Sequence, residues 1–392
     1  MSFWLSGLGF EYNPFEHLEA SSDANLAAYI VGIELFAAAW DAVPSLIFAP
    51  TGGGKTAMRM YTMQQCWMSM GPYHPFPISY YFPNYLSTPK NLSREAHLSG
   101  IIQAGATSLL IGLTFRPEKL LESNELVQQK VARFLNGFLP NTLGYYLDRL
   151  DQHDSPDALS VLLDPSYLLP ISPKKPLVEQ LSSLLRLQLQ DVDSFQLDPE
   201  QGFEWMADLL LKDLGFRSIF ILADGIDSYP ETHASPKLAA ETVAPLLEAM
   251  PEWESKRIYF KGFFPLEDKS TILEYMPVGF KRLNTADIEW DIPKLATLIQ
   301  RRVYQGSKGM FGSLDAVCSP ELRDVEATLA RLCVPLPREI LALTQKILEE
   351  YYDRTRGLGT QIEIEDIENA KDWYNQNKFN PVYRQVELHS DI

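Results

Sequence analysis

The sequence predicts an α/β layer architecture with a mostly parallel sheet, and three observations predict it. A short apolar run, Leu46 to Phe48, is followed by a glycine-rich turn and then by an amphipathic run from Ala57 to Met68, which reads as strand, turn and helix. Arg217-Ser-Ile-Phe-Ile-Leu-Ala-Asp224 is the clearest buried strand. A helical stretch, Pro236 to Met250, separates it from another strand pattern, Arg257 to Phe264. Strands alternating with helical patterns build parallel sheets, because each parallel pair needs a crossover between its strands.

Taken in order, residues 1–44 are a lead-in segment. Asn13-Pro14-Phe15 is an extended or turn element, because proline restricts the residue before it. Glu16 to Ala20 starts a helical pattern, and a second helix runs from Asn25 to about Asp41. The α/β core spans 45–285. Within it, Pro77-Ile-Ser-Tyr-Tyr-Phe82 reads as an aromatic-rich strand ended by Pro83. From about 93 to 211 the pattern is almost wholly helical, as in Ser108–Leu113, Glu122–Phe138 and Leu177–Leu189, with proline-bearing breaks from Ser155 to Pro176. That tract is a large insertion in the core. A shorter extended run lies at Val278–Leu283. Residues 286–392 form a helical C-terminal domain with helices at 291–304, 321–333 and 336–352, and Gln361 to Lys371 adds a short strand and helix.

Composition narrows the class. The chain has 392 residues, 46% of them apolar, enough for a large core of two or three packed units. No apolar run is expected to reach the length of a membrane span, and the Met1 start lacks the basic end and long apolar core of a leader. The expected location is cytoplasmic. Cys66, Cys318 and Cys333 are far apart and odd in number, and suit small core residues in a reducing compartment better than metal ligands. A net charge of −17 repels phosphate backbones and disfavours nucleic acid as a partner. The short basic clusters Pro173-Lys-Lys-Pro176 and Gln300-Arg-Arg-Val303 read as solvated loops and helix ends.

The turn itself carries chemistry. In Ala49-Pro50-Thr51-Gly52-Gly53-Gly54-Lys55-Thr56 the glycines let backbone amides close around phosphate oxygens, and a helix opens where the chain leaves the turn. Lys55 would reach the β- and γ-phosphates and the Thr56 hydroxyl would hold Mg²⁺. Ala49 stands where the G-x-x-x-x-G-K-[ST] pattern has its first glycine. A partner acid is expected at the end of a second strand, and Asp224-Gly225-Ile226-Asp227 supplies it. Asp224 would face the Mg²⁺ at the carboxyl edge of the sheet, and Asp227 would orient or deprotonate an attacking water. Carboxylates that close need a cation between them. No N/T-K-x-D element follows, so ATP is expected rather than GTP. No Ser/His/Asp spacing, Cys-His pair or metal cluster offers a second chemistry.

On these pieces the chain resembles P-loop ATPases of the AAA+ and STAND superfamily, and its Asp-Gly-hydrophobic-Asp form is similar to that of NACHT-type STAND ATPases. Those usually follow the motif with a glutamate, where this chain has Ser228, which implies slow hydrolysis. The resemblance implies further roles. Asn13-Pro14-Phe15 would pack near the adenine, Lys261 would watch the γ-phosphate from the strand at 257–264, and Arg338 would touch phosphates from a helical lid. Arg301 or Arg302 would serve as a finger to a neighbouring subunit. The implied function is an ATP-driven conformational or assembly switch, with protein partners held through the insertion or the lid and with nucleotide-dependent homo-oligomers. The alternatives are a AAA+ motor or loader working on nucleic acid or a protein client, and an adaptor that binds ATP without hydrolysing it.

Overall fold

The computed structural model describes residues 3–31, 33–69, 74–90, 92–152, 158–167, 174–189 and 197–377. Residues 155–157 and 168–173 of the proline-bearing break expected between Ser155 and Pro176, among them Pro173 of the basic cluster, lie outside the described residues. The chain forms two compact units. One comprises 35–48 and 58–287, the other 1–34, 49–57 and 288–392.

The first unit is built on a five-stranded, all-parallel sheet. Its strands are β1 (Ser45–Ala49), β2 (Pro75–Tyr81), β3 (Ser218–Asp224), β4 (Ile258–Pro265) and β5 (Asn284–Asp287), in the order β2-β3-β4-β1-β5. All seven residues of β3 are buried, as expected of a central strand covered on both faces. β2 pairs with it in register from Pro75↔Ser218 to Tyr81↔Asp224. β5 departs from expectation. The run Val278–Leu283 is not a strand, and the edge is formed instead by the polar, half-exposed Asn284-Thr285-Ala286-Asp287, aligned with Ser45–Phe48 of β1. Because all strands are parallel, β1, β3 and β4 end at one edge of the sheet, with β4 between the other two. Two strand spacings set β1 and β3 about 10 Å apart.

Helices make each crossover. The helix Lys55–Met68 follows β1, Pro236–Ser255 follows β3, and the long helical tract fills the β2-to-β3 connection. Arg94–Phe115, the longest helix of that tract, is long and apolar enough to cross a membrane, contrary to the reading of the sequence. It is instead a core helix, buried on most of its surface. It packs on β2, where Ser108 Oγ accepts a 3.1 Å bond from the Ser79 amide and so satisfies a donor of the edge strand. At Gly112 an added Cβ would stand 2.2 Å from the Trp67 ring, so only glycine permits this approach.

The second unit is helical. Residues 1–34 of the lead-in segment are part of it, while 35–44 belong to the sheet unit. Leu5, Leu8, Phe10 and Phe15 share one apolar core with Leu295, Ile299, Ile340 and Ile347. Those residues come from the helices Ile292–Gly306 and Pro337–Thr355. Arg354 clamps the Asp366 carboxylate with two bonds of 2.7 and 2.6 Å, tying Pro337–Thr355 to the last described helix, Ile364–Asn377. The expected short strand near Gln361 is a single bridge between Ile362 and Cys318. All three cysteines are buried free thiols.

Candidate functional site

The glycine-rich turn is built by backbone geometry that only glycine supplies. Gly52 and Gly54 have φ of +76° and +97°. Gly53 donates a 2.8 Å bond to the Pro50 carbonyl, and a Cβ on it would stand 2.7 Å from that same oxygen. The turn ends at Lys55, where a 14-residue helix begins with amides that have no partner within the helix. Thr51 and Thr56 are half-buried, and Lys55 is buried with only 6% of its surface exposed.

Two side chains of the helical unit lie against this turn. Trp290 donates from its indole nitrogen to the Gly53 carbonyl at 2.8 Å, which fixes the direction of that peptide. Arg338, at the start of helix Pro337–Thr355, lies across Gly52, with its Cβ 3.2 Å and its Nε 3.6 Å from where a Gly52 Cβ would be. Its guanidinium bonds Glu19 Oε2 at 3.1 Å. Burial raises the Glu19 pKa, and the charge of Arg338 opposes that rise. Arg338 thus stands beside the turn.

Asp224 ends β3 in the sheet unit and is 1% exposed. Its Oδ1 accepts from the Gly225 amide at 2.8 Å and its Oδ2 accepts from Arg59 Nε at 3.2 Å. Gly225 turns the chain with φ +88°, where a Cβ would stand 2.3 Å from the Tyr81 ring. That turn leads directly to half-buried Asp227. Ser228, in the position of the usual glutamate, bonds the Tyr81 hydroxyl at 2.9 Å.

Lys261 is corrected. Its ammonium donates to Asp41 O at 2.6 Å, Val43 O at 2.7 Å and Ser45 Oγ at 3.0 Å, at the start of β1 and so at the opposite edge of the sheet from Asp224. Burial pulls its pKa down to about 7, against the charges of Cys66 and Asp41. A side chain bound at the amino edge does not reach the carboxyl edge, where the resemblance would have it watch a phosphate. The arginines proposed as fingers are likewise structural. Arg302 is 4% exposed, bonds Pro14 O at 2.6 Å and Asp23 Oδ2 at 2.8 Å, and covers the Tyr29 ring, while Arg301 bonds Ile30 O. Asn13 turns back on the Phe15 amide, and Phe15 is fully buried in the helical core rather than presented to a ligand.

Sequence reading missed Arg59 and Trp290. Arg59 carries one available signal: its helix contains no acidic residue, so a buried arginine there has to find a distant carboxylate. Trp290 carries none. Among the described residues no group of three or more His, Cys, Asp or Glu gathers at metal-ligand distance. Mg²⁺ does not need such a group, since it is usually held by one or two carboxylates together with phosphate oxygens. Asp224, each of whose oxygens can accept more than one bond, and the Thr56 hydroxyl are each of a donor type that suits it.

Compared with protein-family models, with curated proteins and with solved structures, the chain finds no match in any of the three.

Proposed function

We propose that this chain is a P-loop ATPase. More particularly, we propose an ATPase of the AAA+/STAND kind that couples Mg-ATP binding and slow hydrolysis to a conformational or assembly change with protein partners. One observation carries the reading. The helix opened by the glycine-rich turn sends Arg59 to the acid that ends a second parallel strand. Thr56 lies three positions before Arg59 on that helix, hence on the same face. This supports Asp224 as the acid that serves the helix opened by the turn, and the reading takes Thr56 and Asp224 as the ligands of Mg²⁺. The position of Arg338 beside Gly52 independently supports phosphate binding at the turn.

In this reading the turn amides and Lys55 bind the β- and γ-phosphates and stabilise charge on the transferring group. Thr56 and Asp224 would hold Mg²⁺, which supplies charge neutralisation between the phosphate oxygens when bound. Asp227, one turn beyond Asp224, positions the attacking water. Arg338 exchanges Glu19 for phosphate oxygen. The slow-switch form is favoured over a motor because β4 ends in Phe263-Phe264-Pro265, which carries no polar group to watch the γ-phosphate, and because Ser228 replaces the usual glutamate.

The test is ATP turnover and particle size of the purified chain, with and without Mg²⁺. The reading expects tight binding and turnover well below about 1 s⁻¹, the low end of ordinary enzymes. Faster turnover with ring formation would favour the motor, and no binding at all would end the proposal. Asp227→Asn is expected to keep ATP affinity and to slow hydrolysis by about a hundredfold, the lower range for losing a general base. Equal loss of binding would make Asp227 a metal ligand or a structural residue.

A further inference from the structure

The Arg59 guanidinium lies at the centre of a buried polar cluster in the sheet unit. Each of its three nitrogens has a different partner: Nε donates to Asp224 Oδ2 at 3.2 Å, Nη1 to Ser79 Oγ at 2.7 Å and Nη2 to Ser166 Oγ at 2.8 Å. Both hydroxyls pass a hydrogen on to one further carboxylate. Ser79 Oγ donates to Asp164 Oδ2 at 2.8 Å, and Ser166 Oγ to Asp164 Oδ1 at 2.6 Å. Arg59 is fully buried, and Asp164 and Asp224 are each 1% exposed. One guanidinium therefore stands between two carboxylates, Asp224 directly and Asp164 through two hydroxyls.

Stability alone does not account for such a cluster, because a buried ion pair is often no more stable than apolar groups of the same volume. Its connectivity is more telling. Asp224 ends β3, Ser79 is on β2, Arg59 is on the helix that follows the glycine-rich turn, and Asp164 and Ser166 belong to the helical insertion. The next residue of the insertion, Tyr167, accepts a 2.7 Å bond from the Trp67 indole, eight positions beyond Arg59 on the same helix. Segment 164–167 is thus fastened to that helix at two points and to Asp224 through one arginine. If the Asp224 carboxylate turns toward a new cation, Arg59 must follow it or give up an acceptor. Either response reaches Ser166 and Asp164.

We propose that Arg59 is a positioning residue for Asp224, and that through Ser79, Ser166 and Asp164 it makes the helical insertion respond when Mg-nucleotide binds at the end of β3. This inference rests on the ATPase reading and assigns the insertion a role in it: it is the element that registers occupancy.

The test uses the full chain, the non-hydrolysable analogue adenylyl imidodiphosphate, and two readouts. Binding is titrated in Mg²⁺ and in EDTA, and hydrogen exchange is followed across residues 158–167. In the wild type, Mg²⁺ tightens binding and the Mg-analogue slows exchange in 158–167. Arg59→Gln keeps its affinity in EDTA, loses about tenfold or more of the gain from Mg²⁺, as for residues that orient a metal ligand, and leaves exchange in 158–167 unchanged by the analogue. Should Arg59→Gln not fold, Ser166→Ala, which removes the one hydroxyl that links Arg59 to Asp164 Oδ1, is expected to uncouple exchange from binding in the same way. Wild-type binding with no change in 158–167, or a variant that keeps both the Mg²⁺ gain and the exchange response, would overturn the inference and leave the ATPase reading standing. No binding of the analogue by the wild type would overturn both.

Discussion

Two buried charges in the sheet unit, Asp224 on β3 and Lys261 on β4, look alike in sequence, each the one charged residue in an otherwise mainly apolar strand. Their surroundings differ. The Lys261 ammonium is held by two backbone carbonyls and a hydroxyl at the start of β1, and carbonyls of a folded strand entry do not move aside for a ligand. Asp224 accepts from a backbone amide and from a side chain, Arg59, whose other partners are hydroxyls able to reorient. The first charge fastens a strand entry to carbonyls, and the second joins a strand end to side chains that can reorient. Strand direction separates the two roles, since Asp224 lies at the carboxyl edge, where parallel sheets bind ligands, and Lys261 points to the other edge.

Variants at the two edges sharpen the contrast. The largest effect is expected at the carboxyl edge of β1. Lys55→Ala should lower ATP turnover by at least about a hundredfold, the scale for losing one preorganised charge-stabilising donor, with the melting temperature little changed. A variant with wild-type turnover would remove Lys55 from the chemistry.

The next effect concerns acid. His97 donates or accepts at both ring nitrogens, to the Thr242 carbonyl at 2.8 Å and the Tyr80 hydroxyl at 2.9 Å, and burial lowers its pKa to about 4. Burial likewise lowers His74 to about 4, with Arg116 and Lys119 adding to the shift. The unfolded chain therefore binds more protons between about pH 4 and 6.5, so stability falls as pH drops through that window and is complete above it. For His97 the loss is at most about 3 kcal/mol. His97→Gln should flatten the pH dependence of urea unfolding by the His97 share, and an unchanged slope would contradict the neutral, buried assignment.

At the amino edge, Lys261→Met should cost about 1–3 kcal/mol of stability by stranding its acceptors, while ATP affinity stays the same. A selective loss of affinity would restore Lys261 as a phosphate sensor. The smallest effect is expected in the helical unit. Arg338→Ala should weaken ATP binding by about tenfold, as for one charge-assisted bond, and unaltered binding would leave Arg338 a partner of Glu19 only.

The same contrast explains what was legible in the sequence. β1 to β4 were readable because buried parallel strands are apolar runs bounded by turns, and the helices of the C-terminal unit because their apolar positions recur at helical spacing. β5 was not, because Asn284–Asp287 is a strand by virtue of pairing with β1, beginning with the Asn284 amide on the Pro44 carbonyl, and not by any apolar pattern. The lead-in segment was read as separate, since nothing local in Leu5, Leu8, Phe10 and Phe15 reveals a core nearly 300 residues away. The glycine turn after β1 and the aspartate that ends β3 were legible because each is local to a short stretch. Arg59 and Trp290 act through partners 165 and 237 positions distant, which periodicity does not encode.

The central claim is that the 52–56 turn and Asp224 serve one Mg²⁺-triphosphate, and calorimetric titration of the whole chain with ATP tests it most directly. The account predicts saturable one-to-one binding that Mg²⁺ strengthens, with the strengthening lost in Asp224→Asn and the binding itself lost in Lys55→Ala. Absence of heat in the wild type, or an Mg²⁺ gain that survives Asp224→Asn, would contradict it.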